Sequence, residues 1–262
     1  MSLSNYWNNN YAGKGASEQS PFTKELHNKI IQLIPDSSKT ILDAGCGTGG
    51  LMKKINAIGK YQITGTDLSE EAIQVAKKNT DLNCFVGSIT NLEVNDKSFD
   101  VVICSEVIEH LFGEDLEKAF SELVRVTKGT IIISTPHLED LIYHHTKCQS
   151  CDTSFHPAGH IRSIDASFFE PFIKKYTSNY SFHYTGKRGP RFRIYGNIIR
   201  KLKNYVVWLD NLRCPTCNNN IEKTHMSMFN RILTKIYTIM QKIFLFLGAK
   251  KYNNIILEAH IN

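Results

Sequence analysis

The feature that most constrains this chain is a regular alternation of short β-rich runs with amphipathic helical runs, which begins at Thr40. Such alternation is typical of a parallel sheet wrapped by helices, because each parallel strand needs a long crossover that is usually helical. We therefore predict a doubly wound α/β fold with a seven-stranded, mostly parallel sheet. The predicted strands cover residues 40–44, 61–66, 83–87, 99–104, 129–135, 179–186 and 254–261.

The composition predicts a soluble globular protein. Of the 262 residues, 42% are hydrophobic, which is enough for a substantial core. The net charge is +6, and part of the excess lies in the basic segment Lys187–Lys203, so nucleic acid is a permitted partner but not a favoured one. The polar N-terminus and the absence of 18 uninterrupted apolar residues in the sequence predict a cytoplasmic protein without membrane contact.

A glycine-rich run, Ile41–Gly50, joins the first predicted strand to a helix. Gly45, Gly47 and Gly49 let the backbone turn tightly and approach a ligand. The run also fits the G-x-G-x-x-G pattern of dinucleotide-binding proteins. Asp67, at the end of the second strand, suits ribose hydroxyls in either case. Taken alone, the run leaves the identity of the ligand open.

Two further features indicate which ligand is bound. Asp43 stands two residues before the first glycine, so the run reads D-x-G-x-G-x-G, and residues 99–111 read FDVVICSEVIEHL. Both resemble motifs of the class I, Rossmann-like S-adenosylmethionine-dependent methyltransferases, in particular their small-molecule branch. The resemblance runs from about Tyr11 to Pro136 and resumes weakly at Gly159–Ser163.

The resemblance implies a binding mode for S-adenosylmethionine. The glycines of the run face its methionine and ribose, Asp67 binds both ribose hydroxyls, and Leu68 packs on the adenine. Ser88 stands where relatives often carry an acid, so a weaker contact to the adenine amino group is expected. The full set of implied cofactor-binding residues is Tyr11, Asp43, Gly45, Gly47, Gly49, Asp67, Leu68, Ser88, Ile89, Ser105 and Glu106.

Methyl transfer asks the protein chiefly to align the nucleophile and, for a hydroxyl acceptor, to remove its proton. Candidate bases should lie at the carboxyl ends of the fourth and fifth strands, where ligands gather in open α/β sheets. We predict Glu109, His110 and His137 as catalytic residues. A packing or cofactor-lid role suits His110 equally well, and His137 could instead be a solvent-exposed loop residue.

Two C-x-x-C pairs, Cys148/Cys151 and Cys214/Cys217, each resemble one knuckle of a zinc ribbon. We predict that these four cysteines hold one structural Zn²⁺, because the pairs follow the fifth and sixth strands at the same edge of the sheet. Two unrelated pairs of reduced thiols are the alternative. Histidines that could replace a thiolate or line the substrate pocket are His144, His145, His156 and His160.

The chain is thus predicted to have three parts. Residues 1–136 form the cofactor-binding core with an N-terminal lid, residues 137–253 form a Cys/His-rich and basic insertion on the substrate side, and residues 254–262 form the last strand. The predicted function is O-methylation of a polar small molecule such as a sugar or a natural-product intermediate. Alternatives are an RNA methyltransferase that uses the zinc knuckles and basic segment, and a non-catalytic cofactor-binding partner protein. The apolar helix near Met226–Leu247 is expected to pack on the sheet or against a second copy in a homodimer.

Overall fold

A computed structural model of the chain describes residues 20–188, 212–221, 228–247 and 251–261, together with Asn8. Its main sheet has seven strands, and a separate antiparallel pair forms a small second sheet. The main strands are β1 (Thr40–Ala44), β2 (Gln62–Asp67), β3 (Asn83–Val86), β4 (Phe99–Ser105), β5 (Thr127–Pro136), β8 (Tyr180–Arg188) and β9 (Lys251–His260). The small pair consists of β6 (Thr146–Lys147) and β7 (Ser154–Phe155).

The helices connect these strands and begin with local capping signals. Ser20 accepts a hydrogen bond from the Thr23 amide, and Ser69 accepts one from the Ala72 amide at 3.1 Å, as N-cap residues do. The helices are α1 (Pro21–Gln32), α2 (Gly50–Asn56), α3 (Glu70–Thr80), α4 (Gly113–Val126), α5 (Leu141–His144), α6 (Ala166–Ile173) and α7 (Met228–Phe246), and a single 3₁₀ turn covers Ile108–His110.

The strand order is β3-β2-β1-β4-β5-β9-β8. Strands β1 to β5 are parallel, and β9 runs antiparallel to both of its neighbours. The prediction of a seven-stranded, mostly parallel sheet is therefore confirmed. The order reverses between β1 and β4, and in open α/β sheets ligands bind outside the carboxyl ends of the strands at such a reversal.

Two apolar layers cover the two faces of the sheet. Because side chains alternate along a strand, Leu42 and Val102 pack with α4 and α6 on one face, whereas Ile41 and Ile103 pack with α1, α2 and α3 on the other. These strand residues are fully buried. The rigid centre of the sheet thus fixes the positions of the loops at its carboxyl edge.

The region after β5 departs in detail from the sequence prediction. Strand β9 begins at Lys251, three residues before the predicted start, and the two-residue strands β6 and β7 were not predicted because they are too short to show a period. The basic segment lies outside the described residues except for Lys187 and Arg188, which end β8.

Helix α7 contacts the main sheet weakly. Tyr237 is buried, whereas an apolar row on the same helix is exposed to solvent. In the described part of the chain, no helix is long and apolar enough to cross a membrane. The exposed row consists of Ile232, Ile236, Ile239 and Ile243.

Candidate active site

The glycine-rich loop is held open by its own backbone. The amides of Gly45 and Cys46 both donate to the carbonyl of Thr66 at the end of β2, over 2.7 and 2.9 Å. Gly45 and Gly47 have φ angles of 92° and 52°, which lie in the left-handed region where glycine is favoured. The loop conformation is therefore supported by contacts of the chain itself.

Gly45 is also required by a close contact. A β-carbon on this residue would lie 2.3 Å from Cγ2 of Val107, which follows β4. A side chain at this position would collide with the loop that carries the predicted catalytic residues. The glycine thus lets the loops after β1 and β4 approach each other.

The carboxylate of Asp67 organises the neighbouring turn. Its Oδ2 accepts a hydrogen bond from the Gly47 amide at 2.8 Å, and its Oδ1 accepts one from the Ser69 amide at 2.9 Å. Burial raises the pKa of Asp67, while these backbone hydrogen bonds act against that rise. The residue predicted to bind ribose therefore also holds the glycine-rich loop in place.

Asp43 is buried beneath the same loop. Its Oδ2 is enclosed and has no hydrogen-bond partner among the described residues. Burial, followed by the charge of Asp67, raises the pKa of Asp43 to about 7. A buried acceptor without a donor is costly unless a ligand supplies one.

These elements surround a cavity of about 570 Å³, hereafter the cofactor cavity. Ten of the residues predicted for cofactor binding or catalysis line it: Asp43, Gly45, Gly47, Asp67, Leu68, Ser88, Ile89, Ser105, Glu106 and His110. Three of these are acids, so the cavity suits a ligand that carries positive charge.

The remaining predicted residues lie elsewhere. Gly49 caps the start of α2 with a φ of 83° and is not part of the lining, and Tyr11 lies outside the described residues. Glu109 is buried behind the lining. His137 lines a second cavity of about 400 Å³, which shares Phe22 and Asn254 with the cofactor cavity.

Ser88 uses its hydroxyl locally. Its Oγ lies 2.7 Å from the hydroxyl of Thr90 and accepts a hydrogen bond from the Thr90 amide at 3.2 Å. Together with Ile89, which is buried, it forms the wall after β3. The serine therefore helps to shape this turn.

The end of β4 places two polar residues under the cavity. Ser105 Oγ lies 2.7 Å from Ser134 Oγ on β5. Glu106 has a φ of 58°, which is strained for a residue with a side chain, and its Oε1 accepts a hydrogen bond from Asn254 at 3.0 Å. Burial raises the pKa of Glu106 to about 7.

Glu109 and His110 follow in the 3₁₀ turn. Glu109 is 1% exposed, and burial, together with the charge of Glu106, raises its pKa well above the usual range. Burial lowers the pKa of His110 to about 3, although the carbonyls of Gly159 and Glu106 oppose this shift. His110 is therefore a neutral imidazole near pH 7.

Several histidines join this group from the loop after α5, and sequence reasoning gave them no individual role. His160 Nδ1 lies 2.5 Å from Glu139 Oε2, and the His156 and His160 rings stack at 4.6 Å. Although burial opposes it, hydrogen bonds from His156 and His160 hold the pKa of Glu139 below its usual range. His160 had two signals in the sequence, the Gly159–Ser163 resemblance and its place among the clustered histidines, whereas Asn254 had none.

The four predicted metal ligands converge in a separate cluster. Cys148 and Cys217 have their sulfurs 3.6 Å apart, as do Cys151 and Cys214, and all four sulfurs lie within 4.8 Å of one another. Sulfurs bound tetrahedrally at about 2.3 Å from Zn²⁺ would be about 3.8 Å apart. Hydrogen bonding with the side chain and backbone of Thr153 lowers the pKa of Cys151 to about 6, which favours the thiolate that zinc requires. The residues present therefore fit a zinc ion.

The two C-x-x-C turns have the same backbone conformation. The Asp152 amide donates to the Cys148 carbonyl and the Asn218 amide to the Cys214 carbonyl, each at 3.0 Å. Asp152 and Asn218 both have a φ of 61°. Two segments far apart in sequence thus form matching turns around one point.

Comparison with known proteins shows what the first half of the chain is similar to. Residues 42–133 match the family model described as a methyltransferase domain. The chain is 38% identical over 128 residues to malonyl-[acyl-carrier protein] O-methyltransferase of Erwinia pyrifoliae, which covers 47% of this chain and 48% of that protein. It is also 39% identical over 120 residues to ubiquinone biosynthesis O-methyltransferase of Rickettsia bellii. That match covers 41% of this chain and 48% of the Rickettsia protein.

The fold as a whole is also shared with a solved structure. A SAM dependent methyltransferase from Archaeoglobus fulgidus superposes with a TM-score of 0.55 at 15% identity, over 90% of this chain and 92% of that one. The chain spans about half the length of the two curated relatives it matches. The methyltransferase interpretation of the glycine-rich run is confirmed by the family model.

Proposed function

Because this chain carries a methyltransferase domain of the class I, S-adenosylmethionine-dependent kind, we propose that it methylates a hydroxyl group of a polar small molecule, such as a sugar or a natural-product intermediate. The names of two similar proteins specify O-methyltransferases, which supports a hydroxyl acceptor. The identity of the acceptor is part of the proposal.

The acidic lining of the cofactor cavity is the observation that supports S-adenosylmethionine as the methyl donor. Asp43, Asp67 and Glu106 all contribute carboxyl groups to it. S-adenosylmethionine brings a sulfonium and an ammonium group against a single carboxylate, so its net charge complements this lining. The two phosphates of a dinucleotide would be repelled there.

The lining suggests how each part of the cofactor would be held. Asp67 keeps acceptor capacity for the ribose hydroxyls beyond its two backbone hydrogen bonds. Leu68 and Ile89 would pack on the adenine, and Ser105 and Glu106 would lie under the methionine portion. The proposed roles of Tyr11 and Gly49 rest on the sequence resemblance.

The chemistry requires one bond to form as another breaks. The acceptor oxygen would attack the methyl carbon, the carbon–sulfur bond would break with its electron pair going to sulfur, and the hydroxyl proton would pass to a base. Glu106, with a pKa raised to about 7, suits this task near neutral pH. His110, with a pKa near 3, is a weaker base, so its proposed role is to position the acceptor.

The second cavity offers a place for the acceptor. His137, Glu139, His144 and Arg188 line it, and it adjoins the cofactor cavity at Phe22 and Asn254. Burial and the charge of Arg188 lower the pKa of His137, so this histidine is neutral near pH 7. These polar side chains would suit an acceptor with several hydroxyl groups.

We also propose that the four cysteines hold a structural Zn²⁺. Four thiolates fill a tetrahedral coordination shell, so the ion would have no open position for a substrate. Its contribution would be to join the segment after β5 to the segment after β8.

Calorimetric titration with S-adenosylhomocysteine tests the cofactor assignment, with NAD as the competing ligand. Asp67→Ala removes a carboxylate that would accept charge-assisted hydrogen bonds worth about 1.5–3 kcal/mol each. We expect the affinity of Asp67→Ala for S-adenosylhomocysteine to be lower than that of the wild type by about 100-fold or more. Asp36→Ala, which removes an exposed acid, should leave the affinity unchanged. Binding of NAD, or equal affinities for the two variants, would contradict the assignment.

Transfer of a labelled methyl group to a panel of polar hydroxylated compounds tests the reaction. Product with a new methyl ether is the expected result. Tight binding of S-adenosylhomocysteine without transfer to any compound would favour the non-catalytic alternative. A salt-dependent shift of RNA in a gel would favour the RNA-methyltransferase alternative.

A further inference from the structure

A second group of potential metal ligands lies against the cofactor cavity. Glu109, His110 and His160, hereafter the Glu109 cluster, each place one ligand atom within 4.8 Å of the others. We propose that the Glu109 cluster binds one divalent cation, separate from the ion of the four cysteines. Ion binding is a property of these side chains, whereas the role suggested below rests on the proposed function.

The distances within the cluster suit a metal ion. Glu109 Oε1 lies 4.0 Å from His110 Nε2 and 3.8 Å from His160 Nε2. Ligand atoms bound at about 2.1 Å around a tetrahedral or octahedral ion lie about 3.0–3.5 Å apart. Binding therefore requires these two distances to contract by about 0.3–1.0 Å, which side-chain rotation can supply.

The other ring nitrogen of each histidine already meets an acceptor. His110 Nδ1 lies 3.1 Å from the carbonyl oxygen of Gly159, and His160 Nδ1 lies 2.5 Å from Glu139 Oε2. Metal-binding histidines usually donate their second N–H to a carbonyl or a carboxylate in this way. A proton on Nδ1 in these contacts makes Nε2 the ligand atom of each ring, at 4.0 Å from Glu109 Oε1 for His110 and 3.8 Å for His160.

The orientation of Glu109 supplies an independent observation. Thr135 donates a hydrogen bond to Oε2 over 3.2 Å, which fixes the carboxylate. The other oxygen, Oε1, is fully enclosed and has no hydrogen-bond partner among the described residues. A cation between this oxygen and the two imidazoles would give the buried Oε1 the partner that it lacks.

A neighbouring group with similar composition fails the same test. Glu139, His144 and His156 also lie within 4.8 Å of one another. However, His156 Nδ1 accepts hydrogen bonds from the amides of Ala158 at 3.2 Å and His160 at 3.4 Å. With Nδ1 acting as an acceptor, the ring proton is on Nε2, which lies 3.5 Å from Glu139 Oε1 and therefore offers no lone pair to an ion. This group orients Glu139, and Glu139 in turn orients His160.

The position of the cluster suggests a role for the ion. His110 and His160 line the cofactor cavity beside Glu106. A divalent cation there could bind the acceptor oxygen and lower the pKa of its hydroxyl, as metal ions do for bound water. Two imidazoles and one carboxylate suit Mn²⁺, Fe²⁺ or Zn²⁺, whereas four thiolates favour Zn²⁺. Mn²⁺ is therefore the probe that separates the two sites.

The experiment titrates Mn²⁺ into the zinc-containing full-length protein and follows the free ion by electron paramagnetic resonance. The variants are Glu109→Gln and His160→Gln, and the matched control is His183→Gln, a histidine paired with Glu258 away from both cavities. We expect one Mn²⁺ per chain in the wild type. Loss of either ligand should weaken binding by more than the about 10–100-fold that removal of an outer-shell partner costs, and the control should match the wild type.

Glu139→Gln provides a second variant with all three ligands retained. We expect this substitution to weaken Mn²⁺ binding by about tenfold or more, because His160 loses the carboxylate that orients its ring. Affinity for S-adenosylhomocysteine, measured on every variant, reports whether the cofactor cavity is intact. If the wild type binds Mn²⁺ but not S-adenosylhomocysteine, the metal proposal stands and the proposed function fails. No stoichiometric Mn²⁺ in the wild type, or equal affinity in His160→Gln, would overturn the metal proposal.

Discussion

The proposed cofactor-binding half, here residues 40–136, and the cysteine region, residues 146–155 with 212–221, stabilise their sites in different ways. In the first, the glycine-rich loop is held by backbone hydrogen bonds and rests on two large apolar layers. In the second, the buried apolar cluster has five members among the residues that the structure describes, and two of them are cysteines: Cys148, Phe155, Leu212, Cys214 and Ile221. A cluster of this size cannot offset the entropy of ordering two separate segments. The first site is therefore a product of the core, whereas the second would depend on its ion.

The largest expected effect is the loss of that ion. Structural zinc contributes about 10–16 kcal/mol of binding free energy in small zinc domains, and this energy is coupled to folding. Cys214→Ser, or treatment with a chelator, should remove hydrogen-exchange protection from residues 146–155 and 212–221. Protection of β4 and the affinity for S-adenosylhomocysteine should persist, because the cofactor-binding half has its own core.

Ser150→Ala, an exposed change within the same knuckle, is the matched control and should retain zinc and protection. Unchanged zinc content in Cys214→Ser would refute the four-thiolate site. Simultaneous unfolding of β4 would show that the two regions are not independent.

A smaller loss of folding stability is expected from Gly45→Ala. The left-handed backbone costs an alanine about 1–2 kcal/mol, and the collision with Val107 adds about 1–3 kcal/mol of overpacking. Gly59→Ala is the control, because Gly59 has a φ of 72° but no atom within 4 Å of the added carbon. Urea unfolding should therefore show a larger loss of stability for Gly45→Ala.

The double variant Gly45→Ala/Val107→Ala separates the cost of the left-handed backbone from the cost of the collision with Val107. It should lose less stability than the sum of its single variants, because the methyl group that collides is gone. Equal losses for Gly45→Ala and Gly59→Ala would show that the loops after β1 and β4 do not need this close approach.

The smallest expected effect is the pH dependence of stability that His27 contributes. His27 lies in α1 beside the cofactor cavity, and burial followed by the charge of Lys54 lowers its pKa to about 4. The unfolded chain therefore takes up this proton near pH 6.5, before the folded protein does, and stability falls as the pH drops from about 6.5 to about 4. Since the ring is partly exposed, we expect about 1 kcal/mol at pH 5.

Urea unfolding of the wild type and His27→Gln at pH 7 and pH 5 measures this contribution. The stability lost between the two pH values should be smaller for His27→Gln. An equal loss in both proteins would place the acid sensitivity in other groups, such as the thiolates of the cysteine region.

The two regions also differ in how well their ligands could be predicted. The spacing within each C-x-x-C pair is local, so the sequence alone named all four cysteines that converge. The Glu109 cluster combines the turn after β4 with His160 from a loop fifty residues later. No local pattern joins these positions, because the contact arises only when both loops reach the same edge of the sheet.

The cofactor cavity shows the same limit. Asp43 was named through the resemblance to class I methyltransferases, and Gly45 and Asp67 through the glycine-rich turn and the end of β2; all three line the cavity. Asn254, which holds Glu106, was not predictable, because it comes from an antiparallel strand inserted next to β5. The placement of His137 in the second cavity likewise depends on where β8 and β9 lie.

The sequence by itself determined the parallel sheet, the loop that follows β1, the acid at the end of β2 and the cysteine pairs. Each of these follows from a period or spacing of a few residues, which backbone geometry converts directly into local structure. The tertiary structure alone decided which distant groups meet: Val107 against Gly45, Asn254 with Glu106, and His160 with Glu109 and Glu139. Those contacts depend on strand order and loop packing, which no short stretch of sequence encodes.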